Sequence, residues 1–168
     1  MIDWAKNKNG IITASWHVTV PKNFASYNVG DKVDYSQATY SVKDDNGNYV
    51  SDFDTSKAII EGEKEYEYYM ACLETLAASI KRLQDENIPI ILRPLHEAEG
   101  GGGEEGSWFW WGKSGSAVYK ELWKLTYKTL TEDYGLHNII WEWNSYAYST
   151  SANWYPGDEY VDIVAYDK

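Results

Sequence analysis

An acidic residue stands close to a cluster of tryptophans in the middle of the chain. The stretch RPLHEAEGGGGEEGSWFWWG (93–112) contains the pair His96-Glu97 and ends in WFWWG. A carboxyl group can donate or accept a proton in general acid–base catalysis. An indole is a rigid apolar surface whose N–H stays available for a hydrogen bond, so it can cover the flat C–H face of a pyranose ring. The stretch therefore suits proton transfer beside a bound sugar polymer.

Other chemistries lack the residues that they need. A zinc site of the His-Glu type requires a second histidine one helical turn after the first, and residue 100 is glycine. Cys72 is the only cysteine, which excludes an intrachain disulfide and a thiolate metal cluster. The segment VTVPKNF (18–24), which follows the first apolar run, lacks the glycines of a dinucleotide-binding turn. We therefore expect neither a metal nor a cofactor.

Size and charge restrict the fold and the partners. The 168 residues suffice for a core, and with no repeat or linker dividing them we take 1–168 as part of a single domain. A net charge of −11 would repel the phosphate backbone of a nucleic acid. No apolar run approaches the ~20 residues of a membrane span, and the N-terminus MIDWAKNKNG lacks the apolar core of a signal peptide. We expect no nucleic-acid or membrane partner.

Apolar patterns alternate between those of buried strands and those of amphipathic helices. Near-continuous apolar runs predict strands over residues 10–18, 88–97, 138–145 and 160–167. Apolar residues at three- and four-residue spacing predict helices over 61–85 and 116–133. Ser116 is the expected N-cap of the second helix, and Gly135 is its expected stop. Residues 19–58 show no clear periodicity, and so long a connection indicates a functional loop.

The alternation of strands and helices indicates a parallel α/β sheet. Polar or aromatic residues stand where each predicted strand ends, at Trp16-His17, His96-Glu97, Trp143-Asn144 and Tyr166-Asp167. In a (β/α)8 TIM barrel the active site is built from the C-terminal ends of several strands, so we favour a barrel over an open sheet. A complete barrel has eight strands and typically ~250 residues. The sequence therefore predicts about half of a barrel.

Five blocks of the chain carry a family resemblance: ITASWHVTVP, IPIILRPLHEA, WFWWG, LHNIIWEWNS and WYPGDEYVDIVAYD. In this order they resemble the middle of glycoside hydrolase family 26, and only the 19–60 loop falls outside the match. The resemblance implies a retaining (β/α)8 barrel, of which this chain would supply strands three to six. It also implies an endo-β-1,4-mannanase acting on plant mannans. A mixed-linkage β-glucanase or a xylanase of the same family is the alternative.

The resemblance implies roles for five residues. Glu97 matches the general acid/base, and four residues match substrate-binding positions: His17, His96, Trp108 and Asp167. The nucleophile of the family is a glutamate at the end of the seventh strand, so we expect it beyond residue 168. The 168 residues alone should therefore be inactive. We expect them either to require the missing half of the barrel for activity or to self-associate.

Some acidic and aromatic residues have more than one interpretation. Glu99 is expected to be a loop or rim acid, and Glu142, between two tryptophans, is either structural or a surrogate second carboxyl. Trp110 and Trp111 either pack the barrel wall or touch sugar.

A sugar-binding fragment without catalysis remains an alternative function. The family is mostly secreted, which we expect of the parent enzyme, and the missing signal peptide fits a cropped N-terminus.

Overall fold

The computed structural model describes residues 1–32, 38–39, 46–48, 50–100 and 109–167. The strands are β1 (Ile12–Trp16), β2 (Val20–Pro21), β3 (Ala38–Thr39), β4 (Ile90–Pro94), β5 (Ile139–Ser145) and β6 (Ile163–Tyr166). The α-helices are α1 (Ile2–Lys8), α2 (Lys64–Gln84), α3 (Gly115–Lys128) and α4 (Ser151–Trp154). Within these ranges, β1, β4, β5 and β6 form a parallel sheet in that order. The predicted parallel α/β sheet is confirmed. No helix in the described ranges is long and apolar enough to cross a bilayer.

The two faces of the parallel sheet differ in polarity. Side chains alternate between the faces along each strand, and residues paired in register share a face. Ser15 pairs with Arg93, which places polar side chains on one face. Leu92 pairs with Trp141 on the other face, and both side chains are buried. The polar face corresponds to the inside of the predicted barrel, and the apolar face to the side that the helices cover.

Helices α2 and α3 pack on the apolar face. In α2, Tyr69, Leu73 and Ala77 recur every four residues and are buried, which is why this segment folds as an amphipathic helix. The Tyr69 ring contacts the Trp16 ring of β1, with centroids 5.9 Å apart. Its hydroxyl forms a hydrogen bond of 2.6 Å with the hydroxyl of Thr126 in α3. One tyrosine thus joins the sheet and both helices.

Helix α3 differs from its prediction at the N-terminus and agrees with it at the C-terminus. It begins at Gly115 after Ser114, so the prediction of Ser116 as the N-cap is wrong. The reason is that the chain enters the helix through Gly115 itself, whose φ of +81° favours glycine. A π-helical stretch, Thr129–Asp133, continues α3. Gly135 follows with a φ of +62°, and the helix stops where predicted.

The long connection after β1 contains short regular elements. In its described residues β2 pairs with β3 in antiparallel fashion, and 3-10 helices span Phe24–Ser26 and Thr55–Ile59. The carboxylate of Asp52 accepts hydrogen bonds from the amides of Phe24 and Ala25, which ties the two ends of the connection together. These elements and helix α1 were not predicted, because each is too short to show a periodic pattern.

Candidate active site

Most of the predicted site residues meet at one edge of the sheet, where the parallel strands end. They are His17 after β1, His96 and Glu97 after β4, and Asp167 after β6. Backbone bonds join the neighbouring strand ends: the Glu97 amide donates to the Asn144 carbonyl at 3.2 Å, and the Asp167 amide donates to the Ser145 carbonyl at 2.9 Å. The remaining predicted residue, Trp108, lies outside the described residues.

Arg93, near the end of β4, holds the carboxyl groups of this edge together. Its Nη2 donates to Oδ1 of Asn144 at 2.6 Å and forms an ion pair with Asp167. The same nitrogen lies 3.4 Å from Oε1 of Glu97, and Nε lies 3.8 Å from Oε1 of Glu142. One guanidinium therefore contacts three carboxyl groups. Arg93 was not among the predicted site residues, although its place on a predicted strand four residues before Glu97 was a signal.

Glu97 and Asp167 are hydrogen-bonded to each other and compete for a proton. Burial raises the pKa of the Glu97 carboxyl, and the hydrogen bond and charge of Asp167 raise it further. The bond with Glu97 lowers the pKa of Asp167, as does the nearby Arg93 guanidinium. When the pair holds a single proton, these opposite shifts favour its placement on Glu97 and leave Asp167 as the anion. A carboxyl group that keeps its proton while its neighbour is ionised suits a general acid.

The backbone turns sharply after β4 to present Glu97. Leu95 has a φ of +47° and Glu97 a φ of +54°, in the left-handed region that residues other than glycine seldom adopt. Such conformations persist where the surrounding structure holds them. The Leu95 carbonyl accepts a hydrogen bond from the Tyr119 hydroxyl of α3 at 3.1 Å, and the Glu97 carbonyl accepts one from the Gly100 amide at 3.0 Å. These bonds fix the direction of the Glu97 side chain.

The two predicted histidines form an edge-to-face pair beside the acid. The ring centroids of His17 and His96 are 4.3 Å apart, and His96 also contacts the rings of Phe109 and Trp111. His96 is 2% exposed, and burial lowers its pKa to about 4. Burial also lowers the pKa of His17. Both rings are therefore mainly neutral at neutral pH, and the exposed His17 is the one that a ligand can reach.

Trp110 and Trp111 pack the interior of the domain. Their side chains are 1% and 0% exposed. Nε1 of Trp110 donates to the Val18 carbonyl at 2.8 Å, and Nε1 of Trp111 donates to the His96 carbonyl at 2.9 Å. Of the two interpretations left open for these residues, packing is the one that the contacts support. Trp108 alone remains as a predicted sugar-contacting indole.

Glu99 lies in the loop after β4, as predicted, but it is not an acid of the exposed rim. Its side chain is 0% exposed. Its Oε1 accepts hydrogen bonds from the hydroxyls of Ser145 and Ser151 and from the amide of Tyr146. The rim placement fails because the chain leaves the strand at Leu95 and turns again at Glu97, both in the left-handed region, so residue 99 is carried back into the interior.

A cavity of about 260 Å³ opens on the polar face of the sheet. Arg93, Asn144, Asp167 and Glu142 line it together with residues of β1 and β6. The Glu142 carboxylate lies against Arg93 within this cavity, a contact that suits its structural interpretation. Among the residues with a described placement, no group of three His, Cys, Asp or Glu side chains is arranged to hold a metal ion.

Known proteins similar to this chain share one family. The family model described as Glycosyl hydrolase family 26 matches residues 1–168. A mannan endo-1,4-beta-mannosidase of Thermothelomyces thermophilus is 36% identical over 163 residues, which are 95% of this chain and 29% of that protein. The crystal structure of a ruminal GH26 endo-beta-1,4-mannanase superposes with a TM-score of 0.92 at 51% identity, over 99% of this chain and 34% of that one.

A third relative was solved with a sugar bound. It is a beta-mannanase from a symbiotic protist of the termite Reticulitermes speratus, complexed with gluco-manno-oligosaccharide. It superposes with a TM-score of 0.79 at 30% identity, over 99% of this chain and 46% of that one. The chain thus spans between 29% and 46% of the length of these three relatives. The prediction of a partial barrel is confirmed by this coverage.

Proposed function

The chain belongs to glycosyl hydrolase family 26, and from this membership we propose that the protein containing it is a retaining endo-β-1,4-mannanase. The names of its relatives support the substrate, since they include a mannan endo-1,4-beta-mannosidase and an endo-beta-1,4-mannanase. The observation that carries the chemistry is the cluster at the strand ends, where Arg93 contacts both Glu97 and Asp167 and where the raised pKa of Glu97 beside the lowered pKa of Asp167 favours a proton on Glu97. Cleavage of a glycosidic bond requires such a proton at the leaving oxygen.

Glu97 acts twice in the proposed reaction. It first donates its proton to the glycosidic oxygen as that bond to the anomeric carbon breaks, while a carboxylate nucleophile bonds to the carbon from the opposite face. As a carboxylate, Glu97 then takes a proton from the water that displaces the nucleophile, and the sugar leaves with its configuration retained. We expect the nucleophile to be a glutamate beyond residue 168. The anionic Asp167 holds the proton on Glu97 before the first step.

We propose that His17, Asp167 and Trp108 contact the substrate and that His96 supports them. His17 is exposed at the end of β1, and Asp167 lines the cavity on the polar face. Trp108 is proposed to cover a sugar ring beside the cleaved bond. His96 is buried behind the ring of His17, so it would orient His17 and the turn that bears Glu97 rather than bind the sugar directly. A polysaccharide does not enter cells, so we expect the protein to act outside them.

A panel of polysaccharides tests the proposed activity. We expect the complete protein to lower the viscosity of β-mannan and glucomannan solutions and to release reducing ends from them faster than from mixed-linkage β-glucan or xylan. Faster release from β-glucan or xylan would assign the protein to the alternative substrate. Retention on a mannan affinity gel without release from any polymer would instead identify a sugar-binding protein without catalysis.

Asp167→Asn should move the basic limb of the pH profile to lower pH. The activity of a general acid falls as the pH rises through its pKa, and Asp167 raises the pKa of Glu97. The amide removes the negative charge, so Glu97 should lose its proton at a lower pH. The measurement is kcat/KM on β-mannan across the acidic and neutral range, with Asp158→Asn, an exposed acid outside the cavity, as the control. A basic limb that stays in place or moves to higher pH contradicts the shared proton.

A further inference from the structure

Glu99 is a buried carboxyl group that the proposed reaction does not use. It lies two residues after Glu97 in the same turn. Three donors contact a single oxygen, Oε1: the hydroxyl of Ser145, the amide of Tyr146 at 2.9 Å and the hydroxyl of Ser151 at 2.7 Å. The other oxygen, Oε2, is buried without a hydrogen-bond partner in the described part of the chain. Burial of an acidic group is costly unless its bonds are made, so the position of Glu99 indicates a specific role.

The three donors belong to one loop. Ser145 is the last residue of β5, Tyr146 follows it, and Ser151 is the first residue of α4. Within this loop the Tyr148 amide donates to Oγ of Ser151 at 2.9 Å, which makes the loop compact. Glu99 therefore ties the whole β5–α4 loop to the turn that follows β4.

The tethered loop brings Tyr146 to the acid. The Tyr146 hydroxyl is hydrogen-bonded to Glu97, and its ring lies beside that of Tyr148, with centroids 5.6 Å apart. Burial raises the pKa of Tyr146 to about 12, so its hydroxyl stays protonated and donates to Glu97. Among the described residues, the titratable and charged groups facing Glu97 are Arg93 from β4, Tyr146 from this loop and Asp167 after β6.

We propose that Glu99 is a positioning residue, which fixes the amide of Tyr146 and so sets where the Tyr146 hydroxyl meets the Glu97 carboxyl. Because Glu99 is enclosed, the proposal has it act through Tyr146 and not by direct contact with a ligand. The inference rests on the proposed function of Glu97 as the acid/base. A displacement of about 1 Å at a catalytic group can lower the rate by about 10²-fold, so loss of this tether is measurable.

Three variants separate the tether from its consequences. Glu99→Ala removes the tether, Tyr146→Phe removes only the hydroxyl, and Glu99→Gln keeps one carbonyl oxygen for the same three donors. In the complete protein, Glu99→Ala and Tyr146→Phe should each lower kcat on β-mannan by about 10- to 100-fold with KM little changed. Both should move the basic limb of kcat/KM to higher pH, because the bond from Tyr146 lowers the pKa of Glu97. Glu99→Gln should stay near the wild type.

A double variant and a stability measurement exclude a merely structural role. If Glu99 acts through Tyr146, the Glu99→Ala/Tyr146→Phe protein should be no more impaired than either single variant, whereas independent residues give additive losses. Additive losses would refute the proposal. A lower Tm for Glu99→Ala with its basic limb unmoved, while Tyr146→Phe moves the limb, would refute it as well.

Two further measurements keep the test decisive. If Glu99→Ala does not fold, Ser145→Ala removes one of the three donors to Oε1. This variant should shift the limb in the same direction by less, and an unshifted limb counts against the tether. A wild-type protein that cleaves no β-mannan would refute the proposed function rather than the tether. The carbon-13 NMR titration of the Glu97 carboxyl then decides, because it needs no turnover: the proposal requires a higher pKa in Glu99→Ala than in the wild type.

Discussion

Replacing Glu97 with alanine should lower kcat/KM on β-mannan by about 10²- to 10⁴-fold in the complete protein, the range that a general acid or base contributes. The oxygen that leaves an unactivated sugar needs a proton, and the neighbouring carboxyl does not supply one. In this variant Asp167 loses its bond with Glu97, but the Arg93 guanidinium still lowers its pKa and favours the anion. Steady-state kinetics on mannan and on mannooligosaccharides measure the loss.

The leaving group distinguishes this loss from a folding defect. An aryl mannoside with a good leaving group needs little protonation, so Glu97→Ala should form the covalent intermediate from it at nearly the wild-type rate. Glu121→Ala is a matched control, because it removes an exposed carboxyl of α3 that pairs only with Lys124 among the described side chains. Equal losses on the good and the poor leaving group would contradict the assignment of Glu97.

The 168 residues by themselves should release no sugar from β-mannan. A retaining hydrolase needs a second carboxyl ~5–5.5 Å from the first. Asp167 is bonded directly to Glu97, so it lies too close and holds the proton in place. Glu142 lies 3.8 Å from Nε of Arg93 in an ion pair. We expect a second polypeptide that carries the remaining strands of the barrel to restore part of the activity.

Reducing-sugar assays on the purified chain, with and without the second polypeptide, measure this effect. The same chain carrying Glu97→Ala shows whether any signal comes from a contaminating mannanase. Sugar released by the 168 residues alone, and lost in Glu97→Ala, would contradict the prediction. It would also identify Glu142 as the second carboxyl.

The sheet and its two long helices could be predicted because their signals are local. Near-continuous apolar runs indicate strands covered on both faces, and the recurrence of Tyr69, Leu73 and Ala77 indicates α2. Strand ends were less predictable. The strand predicted over 88–97 spans only Ile90–Pro94 in the structure. The chain leaves the strand at Leu95, which has a φ of +47°, and an apolar pattern does not indicate such a turn.

The site could be predicted only where its residues follow strands. Strand ends and the family resemblance led to Glu97 and Asp167, whose hydrogen bond the structure describes. The contacts of Arg93, Tyr146 and Glu99 join segments about fifty positions apart, and spacing along the sequence carries no information on such contacts. The sequence also does not show which tryptophans are buried and which face a ligand, because that depends on how the segments pack.

The most direct test of Glu97 as the acid/base is chemical rescue of the Glu97→Ala protein. Its covalent intermediate lacks the base that activates water, whereas azide attacks the anomeric carbon without losing a proton. The assay uses an aryl mannobioside with a good leaving group, and azide is added to the variant and to the wild type. We expect azide to accelerate turnover in the variant but not in the wild type, with a β-mannosyl azide as the product. No acceleration, or an azide of inverted configuration, would contradict the claim that Glu97 is the acid/base of a retaining hydrolase.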